Sequence, residues 1–328
     1  MAAKSTKKAV VTLDYSHVKR GFKEYISMWL WVGWISFYFL LTVSLPLLYL
    51  YAKIPLTIIL GLILISLLAP IDRKLQPKWA YSFGRWLMEG AAGYFHLKVV
   101  CEDPEAIKTC GVAIFALEPH DVLPLSIFGF NDFFQGVQGH TMLGCLTSAC
   151  FSIPLMKHIY TWVNAHSIDK KSIQKMIAKK ISPVLCPGGV QEVLLMENED
   201  ECVLFLNSRF GFIKLAIQNG TAIVPVFSFG LRKMFTFIAP KSKLMKSIGR
   251  KLGFLPMLFF GMWGMPFGPA KPCDIVNLVG SPIKVPHIAD PSDEVIREHH
   301  AVFVAAMVKL YEENKEEFGM GHVKLRIA

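Results

Sequence analysis

From Met28 to Tyr51 the chain runs without a charged residue and is dense in Trp, Phe and Leu. A stretch of that length crosses the hydrocarbon of a bilayer as a helix. Lys53 and Pro55 break the run, and Leu56 to Ala69 is apolar again. The second run is short for a straight span, but Pro46 and Pro55 let two helices share the membrane depth as a hairpin. A cleaved signal peptide fits poorly, because the first run starts late, is too long and is followed by a second. Basic residues flank the pair on both sides: Lys4, Lys7, Lys8, Lys19, Arg20 and Lys23 before it, Arg73, Lys74, Lys78 and Arg85 after it. The bias of basic flanks toward the cytosol places both ends there. Trp29, Trp31 and Trp34 are expected at headgroup level. A buried hairpin inside a soluble core is the weaker account of so long and aromatic a run. The pattern divides the chain into a basic cytosolic head over 1–27, a membrane hairpin over 28–69 and a cytosol-facing domain over 70–328.

From Ile71 onward short apolar runs alternate with helical periodicity. Val112–Leu117, Pro183–Cys186, Ala222–Phe227 and Ile275–Val279 read as strands. Asp169–Lys180 puts Ile173, Met176 and Ile177 on one helical face, and Phe212–Gln218 is a short helix stopped by Asn219-Gly220. A last helix is expected to begin at Asp290-Pro291 and run to about Phe318, with Val295, Val302, Phe303, Ala306 and Leu310 on its apolar stripe. Alternating strands and helices predict an α/β layered fold with a mainly parallel sheet, in which ligands bind at the carboxyl ends of the strands.

Two polar motifs fall at such ends. The strand through Phe115-Ala116-Leu117 stops at Glu118-Pro119-His120-Asp121. If the chain stays extended through Pro119, Glu118 and His120 point the same way. A carboxylate beside an imidazole then suits a general base with an orienting partner. The same residues equally suit a strand that merely ends in polar side chains at the surface. The second strand leads into Pro187-Gly188-Gly189-Val190-Gln191-Glu192. Two absent Cβ atoms let backbone N–H groups approach a ligand oxygen, as an oxyanion hole requires. A tight turn with Glu192 in the first turn of the next helix explains those residues as well.

Asn207-Ser208-Arg209-Phe210-Gly211-Phe212-Ile213-Lys214 opens a helix with two candidate caps and two cations, which fits a bound phosphate or a solvated basic face. His158, among Met156, Ile159, Tyr160 and Trp162, reads as a core or interface histidine, and His299-His300 are expected to be exposed on the last helix. No G-x-S-x-G elbow, Walker loop or G-x-G-x-x-G after a strand is present.

Charge and composition narrow the partners. The formal net charge is +10 and 53% of residues are hydrophobic, a pairing that points to an anionic membrane surface or a phosphate-bearing ligand. Nucleic acid is disfavoured, since the chain carries no reading motif and much of its apolar excess lies in one block. The seven cysteines (Cys101, Cys110, Cys145, Cys150, Cys186, Cys202 and Cys273) form no C-x-x-C pair and fit no zinc pattern. They read as small buried hydrophobes of a reducing compartment.

Taken together, the chain resembles the type-2 diacylglycerol acyltransferase family, membrane enzymes that acylate acylglycerols from acyl-CoA. The residues that carry the resemblance are the hairpin, Glu118-Pro119-His120, Lys157-His158-Ile159-Tyr160-Thr161-Trp162 and Val184-Leu185-Cys186-Pro187-Gly188-Gly189-Val190-Gln191-Glu192. Leu206-Asn207-Ser208-Arg209-Phe210-Gly211-Phe212, Val224-Pro225-Val226-Phe227-Ser228-Phe229-Gly230 and Gly280-Ser281-Pro282-Ile283 come after these in the family's order. The Glu-Pro-His form is similar to the plant and algal branch. Asp121 stands where that family usually has glycine or serine, Phe210 replaces a second basic residue, and Leu231 replaces a polar or acidic one. Leu125 occupies the position where the wider superfamily carries an aspartate, so another carboxylate is expected to orient His120.

The resemblance implies a glycerolipid-acyltransferase-like fold behind an N-terminal transmembrane hairpin. It implies acyl-CoA as co-substrate and diacylglycerol or a related lipid as acceptor, with monoacylglycerol, a fatty alcohol or a sterol as alternatives. His120 is the expected base, and Glu118 or Glu192 the orienting carboxylate. Gly188, Gly189 and Gln191 are expected in the oxyanion and substrate loop, and Arg209 and Lys214 at the CoA phosphates. Neither metal nor cofactor is needed, since the thioester is already activated. The expected location is the endoplasmic reticulum membrane with the domain in the cytosol, with the lipid-droplet surface as a second site and a homo-oligomer compatible with both. A basic membrane-surface protein that kept the fold without the chemistry is the alternative from another class.

Overall fold

The computed structural model describes residues 9–71, 73, 76–133, 137–197, 200–238 and 257–328. Lys4, Lys7 and Lys8 of the expected basic head, and Lys74 of the second flank, lie outside them. After a first strand, β1 (Val10–Asp14), the apolar runs fold as α1 (Phe22–Tyr51) and α2 (Lys53–Leu68), which meet at Ala52. Among the described residues α1 alone is both long and apolar enough to cross a membrane, and α2 is a shorter apolar helix.

The two halves of α1 have different surroundings. Met28, Val32, Gly33 and Ser36 are buried, whereas the large apolar side chains from Phe37 to Tyr51 and along α2 are largely exposed. The inner half packs against α3 (Lys78–Tyr94). That crossing is close enough to require glycine, since a Cβ on Gly90 would lie 2.0 Å from Ser27 Oγ. The exposed apolar hairpin therefore starts about nine residues later than the loss of charge in the sequence. Trp31 packs on Phe128 and Tyr160, with ring centroids 4.8 and 5.9 Å away.

The chain continues through β2 (Lys98–Cys101), α4 (Pro104–Thr109), β3 (Ala113–Glu118) and β4 (Met142–Leu146) to α5 (Met156–Trp162) and β5 (His166–Ser167). Lys157 of α5 is buried, and its Nζ donates to the carbonyls of Leu67 (2.9 Å) and Ala69 (2.7 Å). A cation thus meets the last carbonyls of α2, which have no partner within their own helix. Next come α6 (Lys170–Ala178), β6 (Ser182–Leu185), α7 (Val190–Leu195), β7 (Glu201–Leu204) and α8 (Gly211–Asn219). Asp169 caps α6 through the Ser172 N–H, and α8 stops at Gly220 in the left-handed conformation, both where the sequence signals stand. The remainder is β8 (Ala222–Phe229), β9 (Thr236–Ile238), β10 (Leu258–Phe260), β11 (Val276–Val279), α9 (Asp293–Asn314) and β12 (Lys324–Ile327).

Eight strands form one sheet in the order β1-β2-β11-β8-β3-β6-β4-β5. β3 lies parallel to both β8 and β6, and the two antiparallel junctions are β1 with β2 and β11 with β8. Every residue of β3, β6 and β8 is buried, as strands covered on both faces require. The four strands expected from the sequence are present to within two residues at each end, and the short polar-flanked ones were not apparent. The last helix differs from expectation. Ser292, not Asp290, caps α9 by accepting from the Val295 N–H, and the helix ends at Asn314. Its inner stripe is Ile296, His300, Phe303, Met307, Leu310 and Tyr311, which leaves Val302 about half exposed.

Candidate active site

Segments distant in sequence meet at the carboxyl ends of β3 and β6. The two strands run side by side with Phe115 opposite Val184 and Ala116 opposite Leu185, so the turn after β6 falls against Glu118. Glu118 is fully buried; its Oε1 accepts from the Gly188 N–H at 2.6 Å and its Oε2 from the Cys186 thiol at 3.2 Å. Glu192, on α7 and equally buried, accepts the His120 backbone N–H at Oε2 (2.6 Å) and the Phe205 N–H at Oε1 (2.9 Å). Each of the four carboxyl oxygens thus has a donor. Gly188 makes room for this arrangement, since a Cβ there would lie 1.9 Å from Glu192 Oε1.

The two carboxyls also lie against each other, an oxygen of each within 4.8 Å. Burial disfavours both charges; it pushes Glu118 up to about 7, and Glu192, beside it, well above the carboxylate range. Two like charges this close in a dry site do not both ionise, so the pair shares one proton near neutrality. Burial and the neighbouring carboxylates raise Cys186, which therefore remains a thiol and a donor. One oxygen of each glutamate and Cys186 Sγ lie within 4.8 Å of one another, a spacing a cation could use. The hydrogen bonds to the same oxygens make the shared proton the simpler counter-charge.

The extended run through Pro119, on which a shared facing of Glu118 and His120 depends, is not formed. The strand ends at Glu118, and Asp121 turns the chain with φ 48°. This is the left-handed region that glycine favours and aspartate tolerates, which accommodates the departure at this position. Asp121 Oδ1 accepts from the Val122 N–H at 2.7 Å and so fixes the turn. Its carboxyl is buried and raised by that burial, against the opposing charge of Arg232.

The turn aims the Asp121 carbonyl at His120 Nδ1, 2.9 Å away. A carbonyl oxygen only accepts, so Nδ1 carries the proton and, in the neutral ring, Nε2 carries the lone pair. Burial pushes the imidazole down to about 4, the Asp121 carbonyl opposing, so it is neutral at pH 7. Among the described residues the ring's partner is thus a backbone carbonyl. Glu192 instead holds the backbone N–H of the residue that carries the ring, and Glu118 ties the end of β3 to the glycine turn.

The glycine turn is also tied to the basic segment. Arg209 donates from a terminal guanidinium nitrogen to the Gly188 carbonyl at 3.1 Å and lies over the Phe205 ring at 4.9 Å. Its Nε is buried without a hydrogen-bond partner among the described residues. Lys214 lies one turn into α8 and is half-buried, as is Gln191 on α7. The expected side-chain caps are not used: Phe210 occupies the N-cap of α8, and Asn207 Nδ2 donates to the Ile327 carbonyl instead. The Gly188 N–H expected at an oxyanion is engaged with Glu118.

Two contributors escaped the sequence reading. One is the Asp121 carbonyl, for which only the tolerance of aspartate for a left-handed turn gave any signal. The other is His300, expected to be exposed but buried. Its Nε2–H donates to the Leu206 carbonyl at 2.8 Å, and its ring lies 4.6 Å from Phe210. The spacing Ile296, His300, Phe303 places it on the inner stripe of α9. His158 is half-buried beside Trp162, its ring 6.3 Å away.

Residues 47–327 match the family model described as diacylglycerol acyltransferase. The chain is 31% identical over 325 residues to Diacylglycerol O-acyltransferase 2A of Umbelopsis ramanniana, covering 91% of this chain and 88% of that protein. It is 31% identical over 226 residues to 2-acylglycerol O-acyltransferase 1 of Bos taurus, covering 63% of this chain and 66% of that protein. The crystal structure of the 1-acyl-sn-glycerophosphate (LPA) acyltransferase PlsC of Thermotoga maritima superposes with a TM-score of 0.42 at 14% identity, over 90% of this chain and 98% of that one.

The shared proton has a consequence for stability. Glu118 holds its proton to about pH 7 in the folded protein but has an ordinary value of 4.5. The folded state therefore binds more protons between those values, and stability falls as pH rises through them. Glu118→Gln removes this slope, while the opposite slope from His120 is common to both proteins. The melting temperature of wild type in detergent, measured against that of Glu118→Gln, is expected to drop from about pH 5 to about pH 7. A constant or reversed difference contradicts the shared proton.

Proposed function

The chain belongs to the diacylglycerol acyltransferase family, and we propose that it passes the acyl group of acyl-CoA to the free hydroxyl of diacylglycerol with His120 as the base. Acyltransferase activity toward acylglycerols follows from the family. The choice of diacylglycerol rests on the relatives' names, among which 2-acylglycerol makes monoacylglycerol the second reading. The observation that carries the assignment of the base is the His120 ring itself. With Nδ1–H held by the Asp121 carbonyl, the Nε2 lone pair is left for a substrate proton.

In the proposed step the acceptor oxygen attacks the thioester carbonyl as its proton moves to Nε2. The new C–O bond forms, the C–S bond breaks, and the imidazolium returns the proton to the departing CoA thiolate. The Asp121 carbonyl stabilises the transient imidazolium through Nδ1–H. Glu192 positions the base through its backbone N–H, and Glu118 braces the strand end beside it against the glycine turn. Arg209 keeps its Nε–H for an anionic oxygen of bound acyl-CoA, with Lys214 behind it at the opening of α8. With Gly188 N–H engaged by Glu118, the oxyanion donor at this turn falls to Arg209 or the Gly189 N–H.

The exposed apolar faces of α1 and α2 support a membrane location, and we propose the endoplasmic reticulum with the domain in the cytosol. Both termini are then open to protease on sealed microsomes, and protection of either contradicts this orientation. Transfer from labelled acyl-CoA to a panel of acylglycerols tests the function. His120→Ala is expected to lower the rate per molecule at least about 10²-fold at unchanged abundance. A rate near wild type would remove the base from the account.

A further inference from the structure

Trp31 carries an unmet hydrogen-bonding demand in a telling place. Its indole Nε1 is buried and has no hydrogen-bond partner among the described residues. Buried indole N–H groups ordinarily find an acceptor, and leaving one without is costly. The ring lies between Phe128, on the turn Leu125–Gly129 that follows His120, and Tyr160 on α5. Ser27 Oγ on the same helix is also unpartnered, but the Gly90 backbone packs against it so closely that no ligand atom fits.

The surroundings of Trp31 are unusual in composition. The hydrophobic cluster that joins the inner half of α1 to Val122 and Leu125 contains Met28, Met88, Met156, Met196, Met234, Met257 and Met262. That is half of the chain's 14 methionines. The other two clusters of buried side chains hold Met176, Met307, Met320 and Met142. Unbranched thioethers repack at small cost, so this layer can admit an apolar chain that a core of branched side chains would exclude. It is continuous, along α1, with the side chains exposed from Phe37 onward.

We infer that the Met-rich layer between α1 and the His120 turn seats an acylglycerol chain, with Trp31 Nε1–H donating to an ester carbonyl of that lipid. An ester carbonyl is an acceptor only, which matches a lone donor in an apolar layer. This seat lets a lipid pass from the bilayer along α1 while its free hydroxyl turns toward His120. The inference rests on the acylglycerol acceptor proposed above and adds where that acceptor lies.

Two measurements separate it from that reading. Trp31→Phe keeps an aromatic ring and removes the donor. It is expected to raise the KM for diacylglycerol about 3- to 10-fold, the worth of one hydrogen bond, with the KM for acyl-CoA unchanged. Equal KM values for both substrates in variant and wild type, or a parallel rise in both, overturn the inference even while wild-type transfer upholds the function. The second measurement is independent of turnover and of the folding of that variant. The full-length His120→Ala protein, in vesicles of phosphatidylcholine, is irradiated with a diacylglycerol bearing a diazirine in one acyl chain. Labelling of the peptides around Trp31 and Met156, suppressed by unlabelled diacylglycerol and not by further phosphatidylcholine, supports the seat. Labelling confined to residues 37–68, or suppressed equally by phosphatidylcholine, overturns it.

Discussion

Two carboxyl groups with no access to water are a liability unless every oxygen is satisfied and the pair is not doubly charged. Glu118 and Glu192 meet both conditions with donors from the turn after β6, from the backbone of His120 and from Phe205, together with a proton between them. Removing one partner would strand the other, so the end of β3, the glycine turn, the start of α7 and the segment after β7 are fixed relative to one another. The glycine at 188 belongs to the same constraint, because no other residue leaves space for Glu192. A motif that looks like a ligand-binding turn is thus first a seat for a buried acid.

The proposed base is then oriented locally. The backbone of His120 is held by Glu192, and its ring by the carbonyl of the next residue. On the basic side, His300 holds the Leu206 carbonyl and Arg209 reaches back to Gly188, so α9 and the glycine turn brace the segment that meets CoA in the proposed reaction. On the apolar side, the inner half of α1 shares a hydrophobic cluster with the turn after His120. One element thus serves both as part of the domain's core and as the root of the exposed hairpin. In the proposed reaction a lipid hydroxyl and a soluble thioester approach the same imidazole from these two sides.

Much of this was legible in the chain because the signals are local. Uninterrupted apolar runs marked β3, β6 and β8, Asp169 and Gly220 marked helix ends, and loss of charge marked the hairpin. The depth of the hairpin was not legible, because Met28 to Ser36 is as apolar as Phe37 to Tyr51 and only packing against α3 and the surrounding hydrophobic cluster distinguishes the two. Side-chain direction past β3 was also hidden. Alternation predicts facing for an extended strand, and β3 already ends at Glu118, before Pro119 and His120. The buried state of His300 could be read from its spacing to Ile296 and Phe303, yet a polar pair at 299 and 300 obscured it. Which oxygen each glutamate offers to which N–H is a tertiary fact, and no spacing in the sequence encodes it.

The central claim is that Glu192 acts on the reaction by positioning His120. A double-mutant cycle of Glu192→Gln and His120→Ala, read as acyl transfer per molecule from labelled acyl-CoA, tests it most directly. Glutamine offers one acceptor oxygen where Glu192 uses two, so the single variant is expected to be slower than wild type. Combined with His120→Ala it should cost nothing further, since no base remains to be positioned. Independent losses that multiply in the double variant would show that Glu192 acts elsewhere, and would contradict the account.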